Sequence, residues 1–337
     1  HYTYSQSRDY IRDIGTEFIS MGMRGKTVAI IGEASPEWVF TYFSLMACGA
    51  ITVPIDKELP EPDMLSIIRT AKCEYAVFSS VAENKIAAIR GEYPELTGLV
   101  EWGGTTAEYA RSIDDVRAAG KARYLAGDNS YYDYEIDPEA LASIVFTSGT
   151  TGKGKGVMLS QKNICSDMEQ GIYNFLITPR TLCTLPPHHT FCSTVNLLGH
   201  YCQGCDIYIS SGLRYIMGEL KEFKPTHLIL VPLFVETFYK RIMATAEKQG
   251  KLGALKALIK ISNGLRKVGI DLRRTLFRSV LDNFGGDLEM IICGGAALNQ
   301  NIIDFFEGIG IVILNGYGIT ECAPLISCNR NEYRKTG

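Results

Sequence analysis

The sequence contains no apolar segment long enough to cross a lipid bilayer. Its longest apolar runs, such as residues 228–235, are far shorter than the roughly 20 residues that a membrane-spanning helix needs, and Pro232 interrupts this one. An excess of charge of one sign is also missing, because 34 Lys and Arg residues against 37 Asp and Glu give a formal net charge of −3. This balance gives no electrostatic reason to expect nucleic acid or an anionic membrane as a partner. Any phosphate ligand must therefore be held by a local site.

Disulfide-type cysteine spacing, a secretory leader and internal repeats are absent as well. The ten cysteines are scattered along the chain, and no leader-like segment stands at its start. These absences predict a reducing, cytoplasmic compartment. The 337 residues exceed what one compact core usually contains, which predicts two packed α/β units.

Apolar segments with strand character alternate with helical patterns along the chain. Ser35 and Pro36 form an N-cap and first-turn pair that predicts a helix ending near Cys48. Another helix is predicted at residues 106–119, and a long tract at 234–283 predicts two or three helices whose basic residues form a solvated face. The alternation predicts mostly parallel sheets covered by helices. The predicted strands are 28–31, 51–53, 75–78, 98–101, 144–146, 181–185, 206–209, 227–231, 289–292 and 311–314.

A segment rich in glycine and hydroxyl groups, residues 147–156, directly follows the predicted strand at 144–146. Glycines let backbone N–H groups turn toward an anion, Ser and Thr hydroxyls donate further hydrogen bonds, and lysines supply charge, so the segment predicts a phosphate-binding loop. A flexible hairpin tip is the alternative. The Walker A pattern also matches from Gly149 to Lys155, but Gly156 stands where a Ser or Thr hydroxyl should coordinate Mg²⁺. This mismatch argues against a nucleoside triphosphatase.

Two more glycine clusters, residues 294–298 and 315–321, each follow a predicted strand. Open α/β sheets bind ligands at the carboxyl ends of their strands, and small residues there let a flat adenine ring approach the backbone. Tyr317 is suited to stack on the base, and Thr320 to hold a phosphate. Glu321 is a candidate Mg²⁺ ligand because this hard cation prefers carboxylate oxygen. Two tight turns between strands and helices are the alternative interpretation.

Four motifs occur in the order and approximate spacing of the adenylate-forming superfamily: residues 147–156, 185–189, 294–298 and 315–321. The chain resembles this superfamily, which includes acyl-CoA synthetases, luciferases and peptide-synthetase adenylation domains, over essentially its whole length. Within the superfamily it is most similar to long-chain fatty acid CoA ligases, because Val231-Pro232 is followed by Phe238-Tyr239-Lys240 and a long helical tract.

The resemblance implies the fold of an acyl-CoA synthetase N-terminal domain, with two packed α/β subdomains and mostly parallel sheets. One subdomain, at about 23–179, would carry the phosphate loop. The other, at about 180–330 together with a helix at 1–22, would carry the adenine and acyl sites. The chain would end before the barrel of this fold is complete and before the family's mobile C-terminal domain.

The resemblance also implies a two-step reaction that uses ATP, Mg²⁺ and CoA. A carboxylate attacks the α-phosphorus of ATP to give an acyl-adenylate and pyrophosphate, and a thiol such as that of CoA then displaces AMP. Lys155, His189, Thr320 and Glu321 are implied as catalytic, with Glu321 as the Mg²⁺ ligand, whereas His188 is expected to face the structure. The implied nucleotide-binding residues are Thr147, Ser148, Gly149, Thr150, Thr151, Gly152, Lys155, Gly294, Gly295, Ala296, Asn315, Gly316, Tyr317, Gly318 and Thr320.

The chain departs from the family's pattern in two respects. The family usually has proline where this chain has Gly154, and the glycine raises the cost of ordering the loop on nucleotide binding by about 1 kcal/mol. The family also continues past the end of this chain with a ribose-binding Asp, a hinge and a lysine-bearing C-terminal domain. We therefore expect this chain alone to bind ATP weakly and to turn over poorly, which calorimetric titration with MgATP would measure.

The acid substrate is predicted from residues 190–204, which contain no acidic side chain. Amino-acid-activating relatives need a buried carboxylate there to pair with the substrate ammonium group. Apolar residues such as Phe191 and Leu197 instead favour a medium- or long-chain fatty acid. The alternatives are activation of an aryl or amino acid and a non-catalytic ATP- or AMP-binding module, and a peripheral membrane contact is compatible with the resemblance.

A metal or redox site is a competing interpretation of the same region. Its candidate ligands are His188, His189, Cys192, His200, Cys202 and Cys205, the last two forming a Cys-x-x-Cys pair. Soft ligands at such spacing can bind zinc. However, only one such pair exists, and buried cysteines in apolar helices are common, so this interpretation is the less favoured one.

Overall fold

The computed structural model of the chain describes residues 1–104, 106–147, 154–172, 179–331 and 333–335. The chain divides into two compact units. The first comprises His1–Ser166 and Pro186–Ser193, and the second comprises Asp167–Leu185 and Thr194–Gly337. The predicted subdomain boundaries near residues 22 and 180 stay predictions.

The first unit contains a seven-stranded sheet with strand order β5-β4-β3-β1-β2-β6-β7. Its strands are β1 (Thr27–Ile31), β2 (Ile51–Ile55), β3 (Tyr75–Ser79), β4 (Gly98–Trp102), β5 (Arg111–Ser112), β6 (Leu141–Thr147) and β7 (Lys155–Ser160). Its helices are α1 (Tyr4–Ser20), α2 (Pro36–Ala47), α3 (Glu61–Ala71), α4 (Glu83–Glu92) and α5 (Ile113–Leu125), and α6 (Gln161–Ile172) begins in this unit and runs into the second. The predicted α/β class with mostly parallel, helix-covered sheets is confirmed.

Local sequence explains why the first elements form where they do. The Ser35 hydroxyl accepts a hydrogen bond from the Trp38 backbone N–H at 3.2 Å, and Pro36 occupies the first helical position of α2, as predicted. Strand β1 pairs in parallel with both β2 and β3. Buried apolar residues of these strands, such as Val53 and Phe78, pack against Ile68 of α3. This packing forms the core on one face of the sheet.

The helix predicted at residues 106–119 begins later than expected, at Ile113 of α5. The Glu101 carboxylate accepts a hydrogen bond from the Ala107 N–H at 2.8 Å, which holds this stretch in a loop. Ser112 then caps α5, accepting from the Asp114 N–H at 3.1 Å. The prediction was wrong over the first seven positions because a tertiary contact and a later cap set the boundary.

Helices α1 and α5 cross at very close range in the first unit. Gly120 of α5 is buried, and a Cβ placed on it would overlap the backbone carbonyl of Asp13 in α1. Beside the crossing, the buried Glu17 carboxylate accepts hydrogen bonds from Arg111 and Arg123, each at 2.7 Å. The absence of a side chain at Gly120 is therefore what allows the two helices to approach.

The second unit contains a six-stranded sheet with strand order β13-β12-β11-β10-β8-β9. The strands are β8 (Arg180–Cys183), β9 (Asp206–Ile209), β10 (His227–Leu230), β11 (Met290–Cys293), β12 (Val312–Gly318) and β13 (Leu325–Cys328), of which β13 pairs antiparallel with β12. The helices are α7 (Gly199–Cys202), α8 (Ile216–Phe223), α9 (Pro232–Lys248), α10 (Leu252–Arg266), α11 (Arg273–Leu276), α12 (Arg278–Leu281) and α13 (Gln300–Ile309), and a π-helix at Phe191–Leu198 begins in the first unit and runs into the second. The antiparallel strand β13 was not predicted.

The predicted helical tract between β10 and β11 consists of two long helices, α9 and α10, and two single-turn helices, α11 and α12. Their apolar residues join the core of the second unit, where Phe238, Phe284 and Phe306 are buried and the rings of Phe238 and Phe284 meet edge to face at 5.3 Å between centroids. None of the helices in the described ranges is long and apolar enough to cross a membrane.

Candidate functional site

The two later glycine clusters lie side by side at the carboxyl edge of the second unit's sheet. Cys293, the last residue of β11, is in register with Asn315 of β12, so Gly294 and Gly316 are the next residues of neighbouring strands. The Gly294 N–H donates a hydrogen bond to the Leu230 carbonyl of β10 at 3.1 Å. Residues 315–318 form the end of β12, rather than the tight turn of the alternative interpretation. This arrangement leaves a small-residue surface on adjacent strands.

The turn that carries Thr320 and Glu321 is fixed at both ends. Beneath it, a Cβ on Gly318 would overlap the Pro324 carbonyl, so only glycine fits there. The same Pro324 carbonyl accepts a hydrogen bond from the Ile319 N–H at 2.9 Å. Glu321 is exposed, and Tyr317 keeps 62% of its surface accessible. A ring and a carboxylate are thus presented beside the small-residue surface.

Asp167, which the sequence interpretation missed, supports this turn from α6. Its Oδ1 atom accepts a hydrogen bond from the Leu325 N–H at 2.8 Å, directly after Pro324. Its Oδ2 atom is buried and finds no hydrogen-bond partner among the described residues. Burial raises the pKa of Asp167 to about 7, while the Leu325 N–H lowers it in part. The carboxyl group therefore binds a proton far more readily than an exposed aspartate does.

The raised pKa of Asp167 gives the second unit a predictable pH dependence. Between about pH 4 and pH 7 the Asp167 carboxyl group stays protonated in the folded chain and ionises in the unfolded chain. The contribution of the protonated group to the free energy of unfolding is therefore full below pH 4 and is lost as pH rises through 7. Asp167→Asn keeps the acceptor oxygen and removes the titration. We expect the variant to unfold about 2 to 4 °C higher than the parent at pH 8 and at the same temperature near pH 4, a modest shift because water partly screens the group.

Hydrogen exchange at pH 8 measures the stability difference between the parent and the Asp167→Asn variant locally, in peptides that cover residues 312–328. The Leu325 amide in these peptides donates the hydrogen bond to Asp167. Glu169→Gln is the matched control, because Glu169 is an exposed carboxylate on the same helix. Equal protection of the parent and the Asp167→Asn variant at pH 8 would contradict the role of Asp167.

Asn329 is a second contributor that sequence reasoning missed. Its side-chain oxygen accepts a hydrogen bond from the Asn315 N–H at 3.1 Å, and its own N–H donates to the Asn315 carbonyl at 2.9 Å. These bonds fix Asn315 from the residue that directly follows β13. No local sequence pattern marks Asn329. Asp167, in contrast, could have been found from helical periodicity, because it lies three residues after the buried Ile164 and so on the same face of α6.

The described ends of the phosphate-loop candidate belong to two antiparallel strands of the first unit, β6 and β7. Thr147, the last residue of β6, is in register with Lys155, the first residue of β7. The predicted residues Ser148, Gly149, Thr150, Thr151 and Gly152 lie outside the described residues. A Walker A loop leads from a strand into a helix, so this strand-to-strand connection has a different backbone context.

Gly154 and Gly156 differ in their steric surroundings among the described residues. A Cβ on Gly156 would press against Ile144, at 2.8 Å from its Cγ2 atom, whereas a Cβ on Gly154 would lie 3.6 Å from its nearest neighbours, an ordinary contact distance. Gly154 also lacks the positive φ that would require glycine. The described residues around position 154 therefore leave room for a side chain.

The histidine pair at 188 and 189 follows β8 and lies in the first unit. The two ring centroids are 4.2 Å apart, and His188 Nε2 lies 3.8 Å from the Asp56 carboxylate. Burial, and then the neighbouring His189, lower the pKa of His188 to about 4, so the ring is neutral at pH 7. His189 is the exposed member of the pair. The structure thus places His189, rather than His188, toward solvent.

The candidate zinc ligands do not converge within the part of the chain that the structure describes. No group of three His, Cys, Asp or Glu side chains there is arranged to hold a metal ion. His200 instead contacts His227 through their Nε2 atoms, with the rings stacked at 4.7 Å between centroids. Burial lowers the pKa of His200 to about 4, and that of His227 is lowered as well, so this pair is uncharged at neutral pH.

Comparison with known proteins places this geometry among nucleotide-binding enzymes. Residues 1–337 match the protein family described as AMP-binding enzyme. Long-chain-fatty-acid--CoA ligase FadD15 of Mycobacterium bovis is 23% identical, over 99% of this chain and 58% of its own length. Long-chain-fatty-acid--[acyl-carrier-protein] ligase AEE15 of Arabidopsis thaliana is 26% identical, over 97% of this chain and 53% of its own length. The chain thus spans about half the length of the curated relatives it matches.

Solved structures show the same fold. The adenylation domain of a carboxylate reductase from Mycobacterium chelonae matches with a TM-score of 0.80 at 21% identity, over 97% of this chain and 52% of that one. The anthranilate CoA ligase AuaEII, solved with anthranoyl-AMP, matches with a TM-score of 0.76 at 21% identity, over 99% of this chain and 58% of that one. The similarity to these structures confirms the predicted fold.

Proposed function

Because the chain belongs to the family of AMP-binding enzymes, we propose that it forms the nucleotide-binding part of an enzyme that activates a carboxylic acid with ATP. The acid attacks the α-phosphorus to form an acyl-adenylate and pyrophosphate, and a thiol then displaces AMP to form a thioester. The observation that carries this proposal is the register of Cys293 with Asn315, which sets two glycine clusters side by side at the carboxyl edge of one sheet.

Adenine is assigned to that small-residue surface. The proposed contacts come from Gly294, Gly295 and Ala296 on one strand end and from 315–318 on the other, with the exposed ring of Tyr317 available to stack on the base. Gly295 has φ +86°, so its backbone conformation favours glycine. The supporting contacts from Asn329 and Asp167 are expected to hold this surface in place before nucleotide arrives.

The phosphates are assigned to hydroxyl, amide and cationic groups. We propose that residues 147–152 and Lys155 hold the leaving pyrophosphate and that Thr320 holds the α-phosphate. Mg²⁺ fits Glu321, because Mg²⁺ is commonly bound by one or two carboxylates together with substrate phosphates, and the exposed Glu321 carboxylate is held on a fixed turn. When bound there, Mg²⁺ would neutralise charge on the phosphate oxygens. His189 is proposed to contact the carboxylate substrate.

The proposed acid is a medium- or long-chain fatty acid, and the proposed thiol is that of CoA. Curated relatives named as long-chain fatty acid ligases support this choice, although one is named for CoA and another for an acyl-carrier protein. Within residues 190–204, Cys192, Leu197 and Gly199 are buried, and no acidic side chain is present to pair with a substrate ammonium group.

Acid-dependent ATP–pyrophosphate exchange tests the proposal in the protein that carries this chain. We expect exchange to depend on decanoate or palmitate and to be at least tenfold slower with anthranilate or amino acids, because a buried amino or ammonium group without a partner is costly. Addition of CoA should convert the bound adenylate to a thioester. Exchange stimulated by amino acids but not by fatty acids would overturn the substrate assignment.

A further inference from the structure

A cavity of about 320 Å³ lies among α8, α9, α10 and the segment 276–284 in the second unit. This volume falls at the lower end of the range for small-molecule pockets, roughly 300 to 1,000 Å³. Its floor is apolar, formed by the buried residues Phe238, Leu255, Phe277 and Phe284. We call this feature the helical cavity.

The helical cavity is separate from the glycine clusters of the candidate site. Helix α9 starts at Pro232, just after the carboxyl end of β10, and Thr245 of the cavity wall lies about 20 Å further along the helix at the usual rise of about 1.5 Å per residue. Asn283 and Phe284 precede β11, so they lie toward its amino end. None of the predicted site residues lines the cavity.

Two charged residues, Arg241 and Lys251, line the helical cavity. Both are cationic, and both are exposed. Neither side chain forms an ion pair or hydrogen bond with another residue in the described ranges. Nearby basic residues behave differently: Lys240 on the same helix lies 3.9 Å from Glu236, and Arg273 pairs with Asp271 at 2.6 Å. Two unpaired cations therefore stand at the edge of an apolar cavity.

We propose that the helical cavity binds an amphiphilic anion, with an unbranched apolar chain on the aromatic floor and a carboxylate or sulfate head beside Arg241 and Lys251. Burial of the alkyl chain supplies most of the binding free energy, and the two cations select the sign of the head group. This site goes beyond the proposed adenylation reaction and does not depend on it.

Isothermal titration with decyl sulfate below its critical micelle concentration tests the proposal. Decyl sulfate has no carboxylate, so it cannot be adenylated, and turnover does not contribute to the measured heat. We expect one saturable site per chain and at least tenfold weaker binding of decyltrimethylammonium, which has the same chain and the opposite charge. Equal binding of the two amphiphiles, or no saturable binding of decyl sulfate, would overturn the proposal.

Two sets of variants locate the binding. Ala254→Trp places an indole at the exposed cavity wall and should abolish binding, whereas Ala257→Trp, at an exposed position of the same helix outside the cavity, should preserve it. The double variant Arg241→Gln and Lys251→Gln should weaken decyl sulfate about tenfold and leave decyltrimethylammonium unchanged, and Lys248→Gln is its charge control.

Unchanged binding in Ala254→Trp would show that decyl sulfate occupies another site and would overturn the assignment. All the substituted positions are solvent-exposed, so the variants are expected to fold, and thermal unfolding checks this. A parent chain that is dimeric in sedimentation and becomes monomeric in Ala254→Trp would instead identify a second copy as the occupant and would also overturn the proposal.

Discussion

Replacing Gly120 by alanine is expected to destabilise the first unit by about 3 kcal/mol, at the upper end of the usual cost of overpacking. The new methyl group would overlap the Asp13 carbonyl and approach the Glu17 backbone N–H, and backbone atoms cannot rotate away as a flexible side chain can. Helices α1 and α5 would have to separate, which would also strain the bonds that Arg111 and Arg123 donate to Glu17. The usual benefit of alanine over glycine in a helix cannot offset this clash.

Urea unfolding followed by tryptophan fluorescence measures this effect in the first unit alone. The chain has two tryptophans, Trp38 and Trp102, and both are buried in that unit. Gly91→Ala is the matched control, because a Cβ on this exposed helical glycine meets nothing within 4 Å, and it should raise stability by about 0.5 kcal/mol. An unchanged urea midpoint in Gly120→Ala would contradict the close crossing of the helices.

The other large effect concerns chemistry: Glu321→Gln should lower fatty-acid-dependent ATP–pyrophosphate exchange by about 100-fold or more. The substitution keeps the size and exposure of the side chain but removes the negative charge proposed to hold Mg²⁺. The turn itself should persist, because it is closed by the backbone bonds from Ile319 to Pro324 and from Ala323 to Thr320. Raising the Mg²⁺ concentration should restore part of the lost rate.

Glu289→Gln is the matched control for this variant. Glu289 is also an exposed glutamate of the second unit, but it precedes β11 and so lies at the amino end of that strand. We expect its exchange rate to match that of the parent. If Glu321→Gln folds and exchanges pyrophosphate at the rate of the parent, the assignment of Glu321 is wrong.

Sequence patterns predicted the elements whose signals are local. Helix α2 begins where Ser35 and Pro36 indicate, and β1 to β4 form where short apolar runs precede polar turns. The placement of glycines directly after β11 and at the end of β12 was also predictable, because the carboxyl ends of neighbouring parallel strands lie at one sheet edge. These features depend on residues close in sequence or on a general rule of sheet topology.

Features that depend on distant contacts were not predictable from the sequence. Strand β7 begins with Lys155 and Gly156, which have weak strand propensity, and it forms because this segment pairs with β6. The contact of Asp167 with Leu325 joins residues 158 positions apart. The late start of α5 also depends on a tertiary contact, because the Glu101 side chain that accepts from the Ala107 N–H belongs to β4.

The register of Thr147 with Lys155 means that the sheet has already brought the two ends of the glycine-rich segment to within about 5 Å of each other. Closing a loop on such a preformed base depends only weakly on its length, since doubling the number of residues costs about 0.6 kcal/mol. Insertions or deletions between β6 and β7 would therefore leave the first unit folded. Under the proposed function this segment holds the leaving pyrophosphate, so variants that change its length should separate folding from nucleotide affinity.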